Sequence, residues 1–443
     1  MSKRPKRKPL PTEPQGAHIE SFAHDGRGVA HIDGKATFVS GALPGEDVRF
    51  LYTNIRRDFA EGRAIEVMTP SSSRVQPRCP HFGYCGGCSL QHLAEPVQVE
   101  EKQGLLMEQF RRIGKVGPED VFPPLTGPHW GYRHKARLGV KWVAKKNKVL
   151  VGFREQGSAF IAEIESCPVL HPKVGERLQD LAEMIGSLSI RERLPQIEVA
   201  VGDDRSALVF RVLSEPSEAD QQQLRRFGEA FEFDIHLQPK GPDSVYCLHP
   251  ESPPLLNYRL ESQGVEFRFQ PTDFTQVNVD INRKMVDRVV DVLDPQPSET
   301  ILDLYCGLGN FTLPIARKSA AVVGVEGSRE SVERAQMNAG LNGIFNAEFH
   351  VADLTQPAGD LPWARRRYDK ILLDPSRAGA QDILGLVPRW NAGRIVYVSC
   401  NPSTLARDAG ILVHEHGYRL VRAGVMDMFP HTAHVESIAL FEK

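Results

Sequence analysis

Nowhere in this sequence do about 18 apolar residues follow one another, and the positive stretch MSKRPKRKPLP leads into no apolar segment. That excludes a membrane-spanning helix and a secretory leader, and it points to the cytoplasm. An excess of positive charge is also missing. With 54 Lys and Arg against 56 Asp and Glu the formal net charge is −2, so the chain is no general coat for nucleic acid, and any RNA contact has to be local. Basic clusters that could make one stand at Lys3 to Lys8, at Arg133, His134, Lys135 and Arg137, at Lys141 to Lys148 and at Arg365 to Arg367. Each reads equally well as solvated surface. No internal repeat is evident. The seven cysteines, at 79, 85, 88, 167, 247, 306 and 400, are odd in number in a chain that looks cytosolic, which favours metal binding or catalysis over disulfides.

What is present is enough to fold. The 443 residues, 41% hydrophobic and 25% charged, predict a globular chain of two or three domains; a monomer is expected, though the sequence does not fix the oligomeric state. After a basic tail (1–14), residues 15–73 show short strand-like stretches broken by Gly and Asp (HIESFAHDG, GVAHIDG, KATFVSGALPGE, DVRFLYTN, RAIEVM), which predict a small β-barrel of about five strands, of the kind that binds oligonucleotides. Residues 74–270 read as a central α+β domain. It opens with a Cys- and Gly-rich loop, and residues 97–114 predict a helix that is a candidate to pack on the catalytic domain. From 271 to 443 strands alternate with helices, which means a mainly parallel sheet covered on both faces, a Rossmann-like α/β domain.

In that last part, ILDLYCGLGNFT sets Gly307 and Gly309 directly after an apolar strand and before a helix, where missing side chains let a cofactor approach the backbone. A Gly-x-Gly turn alone is also just a tight turn. Glu326, at the end of the next strand about 20 residues on, can accept hydrogen bonds from ribose hydroxyls, so the pair suits a nucleoside cofactor. The third glycine of a pyrophosphate cradle is absent, whereas adenosylmethionine has no phosphate to hold. Asp353, after a further strand, is placed to meet the adenine or its surroundings.

The strand RIVYVSC ends in Cys400, followed by Asn401 and Pro402, at the sheet end where ligands bind in such folds. A buried structural cysteine is the bland alternative. Asp374, ending the neighbouring strand in LLDPSRAG, favours the catalytic reading. A thiolate there could add to carbon 6 of a uracil and make carbon 5 nucleophilic; a base must later remove the carbon 5 proton, and Glu436, just before the terminal strand, is the carboxylate to choose. From spacing alone, an ordinary strand-edge acid is the better reading of Glu436. Cys79, Cys85 and Cys88 stand as C-P-x4-C-x2-C, with Cys167 following in ESCPVLHP; four thiolates fit zinc or an iron–sulfur cluster.

Taken in order, FTQVN (274–278), DLYCGLGNFT, VVGVEGS, LLDPSRAG, VSCNPSTLARD and HVESIALF resemble the bacterial RNA 5-methyluridine methyltransferases, and the resemblance extends over essentially the whole chain. It implies S-adenosyl-L-methionine as methyl donor, with Gln276, Tyr305, Asn310, Glu326, Asp353 and Asp374 around the cofactor or the target base, Cys400 as nucleophile and Glu436 as base. The front half is similar to the TRAM barrel and four-cysteine module of the 23S rRNA branch. This implies a 4Fe-4S cluster on Cys79, Cys85, Cys88 and Cys167, with zinc as the fallback, and 23S ribosomal RNA as partner. The barrel points to the uridine called 1939; another uridine, or two sites, are the alternatives. Methylation of an exocyclic amino group ranks lower, since it has no use for a covalent cysteine and favours a proline pair and an aromatic residue where this chain has Asp374-Pro375-Ser376-Arg377. A non-catalytic RNA-binding redox sensor is the remaining competitor, and it predicts that Cys400→Ser keeps function.

Overall fold

The computed structural model describes residues 10–443; the Lys3–Lys8 cluster, and with it residues 1–9 of the expected basic tail, lies outside them. Among the described residues no helix is long and apolar enough to cross a membrane. The chain divides into two compact units. The first comprises the segment ending at Glu101 together with Glu155–Gly157 and Pro430–His434; the second comprises Lys102–Arg154, Ser158–Phe429 and Val435–Lys443.

In the first unit the strands Gln15–His18, Ser21–Phe22, Gly28–Ile32, Lys35–Ser40, Asp47–Ile55 and Phe59–Thr69 form one six-stranded sheet. The expectation of about five strands falls one short because the first stretch changes partner at Ile19. Up to His18 it pairs with Asp47–Ile55; beyond it, Glu20 N–H donates to Val29 O at 2.8 Å and Ser21 pairs with Val29. One segment thus serves both edges and curls the sheet around Ile19, Ala30, Val39, Ala42, Val48 and Phe50. Buried Glu46 takes the N–H groups of Leu43 and Ser71 and a two-pronged bond from Arg74, which ties the barrel to the chain that leaves it.

The second unit holds a six-stranded sheet running from Tyr246–His249 at one edge through Gln196–Val201 to Lys148–Gly152 at the other, a hairpin of Leu256–Leu260 with Val265–Phe269, and an eight-stranded sheet. The strands of the last follow the order Ala347–Val351, Ala321–Glu326, Thr300–Leu304, Lys370–Leu373, Arg394–Ser399, Glu436–Glu442, Arg419–Met426 and Asp120–Val121. Every neighbouring pair is parallel except the two made by Glu436–Glu442. This is the Rossmann-like sheet of the expectation, and the apolar faces of the hairpin (Tyr258, Phe267, Phe269) and of the helix Val279–Leu293 share its core. The order reverses direction between Thr300–Leu304 and Lys370–Leu373, the switch point where such folds open a crevice at the carboxyl ends of the strands. The helix Glu95–Gln109 enters this unit at Lys102 and ends in a wide turn, Phe110–Gly114, against the helix Pro402–His414. The approach is backbone on backbone: a Cβ on Gly114 would lie 2.4 Å from Ala406 O, and one on Gly410 would lie 3.0 Å from Gly114 O.

Candidate active site

Six strands of the eight-stranded sheet deliver side chains to one edge. The parallel strands end there, so Tyr305, Glu326, Asp353, Asp374 and Cys400 each close one or follow it within two residues. Glu436 reaches the same edge because its strand runs the other way and begins there. Ser399 pairs with Ser437, and Cys400 and Glu436 are the next residues outward, near enough for the Glu436 carboxyl to act on the thiol. Glu436 is 8% exposed, whereas Cys400 is half-buried. Burial pushes the Cys400 thiol up to about 11; the Glu436 and Asp374 carboxylates beside it add to this, and Arg377 opposes it. Asp374 is held well above the ordinary carboxyl range by burial first and then by Glu436, Asp303 and Glu326.

The glycine turn adjoins this cluster. Tyr305 takes φ +66°, Gly307 φ +54° and Gly309 φ +89°. At Gly307 a Cβ would meet nothing within 4 Å, so the backbone there borders open space. Glu326 braces the turn, accepting from Gly307 N–H at 3.2 Å and from Ser328 N–H at 2.9 Å. Asn310 is tied down by neighbours far away in sequence: it exchanges two bonds with Asn282 (2.9 and 3.1 Å) and accepts one from the Tyr258 hydroxyl at 2.9 Å. Asp353 is exposed and folds its own turn, accepting from the N–H and hydroxyl of Thr355, bonds that lower its pKa. Burial, with Asp382, Asp408, Asp353 and Glu326 nearby, pushes the Tyr305 phenol up to about 12. Gln276 lies half-buried in the loop before Val279–Leu293, two residues ahead of Asn278, whose side chain caps that helix.

Two residues that sequence reading passes over carry much of this edge. Asp303 is fully buried under the glycine turn; one carboxyl oxygen takes the Thr312 hydroxyl at 2.5 Å and the other has no partner, and burial pushes its pKa up to about 7. Asp408, also fully buried, accepts from Tyr397 O–H and Ala380 N–H at 2.7 Å and from Arg407 at 2.8 Å. It pins the loop that runs from Asp374 to Ala380, helped by Asn401 and Thr404 on the Arg377 carbonyl. Asp303 could have been suspected, being an acid inside an apolar strand; Asp408 sits in a helix with nothing local to mark it.

A nucleoside cofactor fits this edge by two observations: open space over Gly307 and the orphaned oxygen of Asp303, which calls for a donor. The cysteine set behaves differently. Cys79, Cys85 and Cys88 lie in the first unit and Cys167 in the second. Cys85 sits in turns closed by its own N–H on His81 O and by Phe82 N–H on Cys79 O, and burial, with Cys79 nearby, raises its thiol. Among the described residues, however, no three His, Cys, Asp or Glu side chains are arranged to hold a metal ion. The thiol chemistry suits a soft metal; the arrangement is not a preassembled cage, so metal would have to draw the ligands together.

Comparison with known proteins agrees with the geometry. Residues 96–443 match the family model of tRNA (Uracil-5-)-methyltransferase, and residues 14–65 match the TRAM domain. The 23S rRNA (uracil(1939)-C(5))-methyltransferase RlmD of Methylococcus capsulatus is 63% identical over all of both chains, and that of Alkalilimnicola ehrlichii is 55% identical over 99% of this chain and 98% of its own. Among solved structures, the Pyrococcus abyssi tRNA (uracil-54, C5)-methyltransferase in complex with S-adenosyl-L-homocysteine superposes with a TM-score of 0.72 at 26% identity, covering 96% of this chain and 99% of that one.

Proposed function

Since the chain belongs to the tRNA (uracil-5-)-methyltransferase family, we propose that it transfers a methyl group from S-adenosyl-L-methionine to carbon 5 of the uridine at position 1939 of 23S rRNA. The observation that carries this reading is the Cys400 thiol beside the Glu436 carboxyl, each one residue beyond the Ser399–Ser437 rung, near an open glycine turn.

S-adenosyl-L-methionine, when bound, supplies a methyl group made electrophilic by its sulfonium. Glu326, Tyr305, Asn310 and Asp353 around the glycine turn would hold it, with Gln276 and Asp374 toward the target base. Cys400 gives up its thiol proton to solvent, its Sγ bonds to carbon 6 of the uracil, the C5=C6 pair moves onto the ring as an enolate, and carbon 5 becomes a nucleophile. Once carbon 5 carries the methyl, Glu436 takes its proton, the double bond re-forms and the Cys400 thiolate leaves. The resting thiol keeps its proton, pushed up to about 11 by burial and two carboxylates. A raised Asp374 pKa lowers the negative charge that the thiolate must face. The uracil has to leave its stack to reach this edge, which is cheapest in a single-stranded loop.

The same reading assigns residues 15–73 to gripping RNA, 74–270 to a module bearing a 4Fe-4S cluster on Cys79, Cys85, Cys88 and Cys167 (zinc as the fallback), and 271–443 to catalysis. The enzyme works as a cytoplasmic monomer. The closeness of Cys79 to Cys85 supports the cluster, and iron and sulfide content of anaerobically purified protein checks it. The function is tested by incubating the protein with labelled S-adenosyl-L-methionine and a 23S rRNA fragment spanning the site. Label should map to carbon 5 of that single uridine; label on an exocyclic amine, or on tRNA alone, would contradict the proposal.

A further inference from the structure

The helix Glu95–Gln109 carries a lysine where an apolar residue would pack as well. Lys102 is 3% exposed, with Nζ 2.7 Å from Asp427 Oδ1 and 3.0 Å from Phe429 O, and Asp427 is 1% exposed. A buried ion pair is a weak source of stability, because desolvation offsets the attraction; what it adds over two apolar side chains is a fixed geometry. Its place in the fold says what is fixed. Asp427 directly follows Met426, the cross-strand partner of Glu436. One position along the helix, Gln103 Oε1 accepts the N–H of Val425, the partner of Ser437, at 3.1 Å. The Asp427 N–H donates to Leu125 O at 2.8 Å. Val425, Asp427 and Phe429, alternate residues along the strand end, are all held, and Met426 between them faces the base.

We infer that the buried Lys102–Asp427 pair is a positioning device for Glu436, fixing the end of the strand Arg419–Met426 and, through the ladder, the carboxylate that removes the carbon 5 proton. The inference rests on the reading of Glu436 as that base. It predicts a specific defect. Attack by Cys400 and methyl transfer need no base on the far strand, whereas release does: the C5–H bond breaks toward Glu436, its electron pair re-forms C5=C6, and the C6–S bond breaks to return the thiolate. A misplaced carboxylate therefore leaves methylated RNA attached to the enzyme.

K102M alone would strand a buried carboxylate, so the informative protein is the full-length double variant K102M/D427L, which replaces the pair by apolar volume. With an ordinary uridine-containing 23S rRNA fragment and S-adenosyl-L-methionine, it should melt within a few degrees of the wild type and keep its KM for RNA. Its kcat should fall about tenfold or more, and a methylated enzyme–RNA adduct should persist on a denaturing gel. Wild-type turnover, or adduct formation lost in step with turnover, would overturn the inference. E436Q is the companion: it should accumulate the same adduct. If E436Q shows none, the reading of Glu436 as base fails, and the positioning role with it; if E436Q traps the adduct and K102M/D427L does not, only the positioning role fails.

Discussion

Two regions of this chain gather reactive side chains, and they are built on opposite plans. The carboxyl edge of the eight-stranded sheet places each residue by strand register: Cys400 and Glu436 come together because Ser399 pairs with Ser437 just inside them, and buried acids pin the loops between strands. The cysteine loop of the first unit has almost no regular structure. Single turns set its thiols, and among the described residues no three metal-binding groups converge. A rigid edge is organised before its substrates arrive, which is what covalent catalysis needs; a loop of thiols takes its final form from whatever it binds.

The comparison breaks most visibly at Cys400. Replacing it by serine should lower methyl transfer by at least about a thousandfold, since a neutral hydroxyl is a poor nucleophile toward carbon 6, while melting stays close to wild type. Retained turnover, measured with labelled cofactor, would contradict Cys400 as the nucleophile. Next in size is Asp408→Ala, which leaves the Ala380 N–H and the Tyr397 hydroxyl without their acceptor. It should cost about 3 kcal/mol in denaturant unfolding and lower kcat about tenfold as the Asp374–Ala380 loop loosens.

Asp303 sharpens the comparison through pH. Its folded pKa, pushed up from 3.8 to about 7, lies above its unfolded value. The contribution is therefore fully present below 3.8, declines as pH rises, and is lost by about 7. Between about pH 5 and about pH 7 wild-type stability should fall relative to Asp303→Asn by about 1.4 kcal/mol per pH unit. Parallel stability curves for the two proteins would show that the buried carboxyl ionises freely. The smallest effect on chemistry is expected at the cysteine loop. Cys85→Ser should abolish metal binding yet leave kcat at saturating RNA within about tenfold, because no bond made or broken in the reaction involves these thiols.

Much of the catalytic edge was legible in the sequence because each apolar strand announces its own end. VVGVE stops at Glu326, KILLD at Asp374 and RIVYVSC at Cys400, and the Gly307–Gly309 turn marks the first crossover. Residues that act through distant partners were not legible. Asp408, Asn282 and Tyr258 sit in ordinary helical or strand patterns, and their roles appear only when Ala380 and Asn310 come next to them in space. Lys102 is the extreme case: its partner lies 325 positions away, and a lysine on a helix normally reads as solvent-facing. The barrel was read one strand short for a similar reason, since Ile19 changes partner without any Gly or Pro to signal it.

The central claim is a transient bond between Cys400 and a pyrimidine ring, and a 23S rRNA fragment with 5-fluorouridine at position 1939 tests it most directly, because fluorine cannot leave as a proton. With S-adenosyl-L-methionine, mass spectrometry should find a stoichiometric methylated adduct on the peptide containing Cys400, absent in Cys400→Ser. Full methylation of natural RNA alongside no adduct on the fluorinated one, or an adduct on any other residue, would contradict the account.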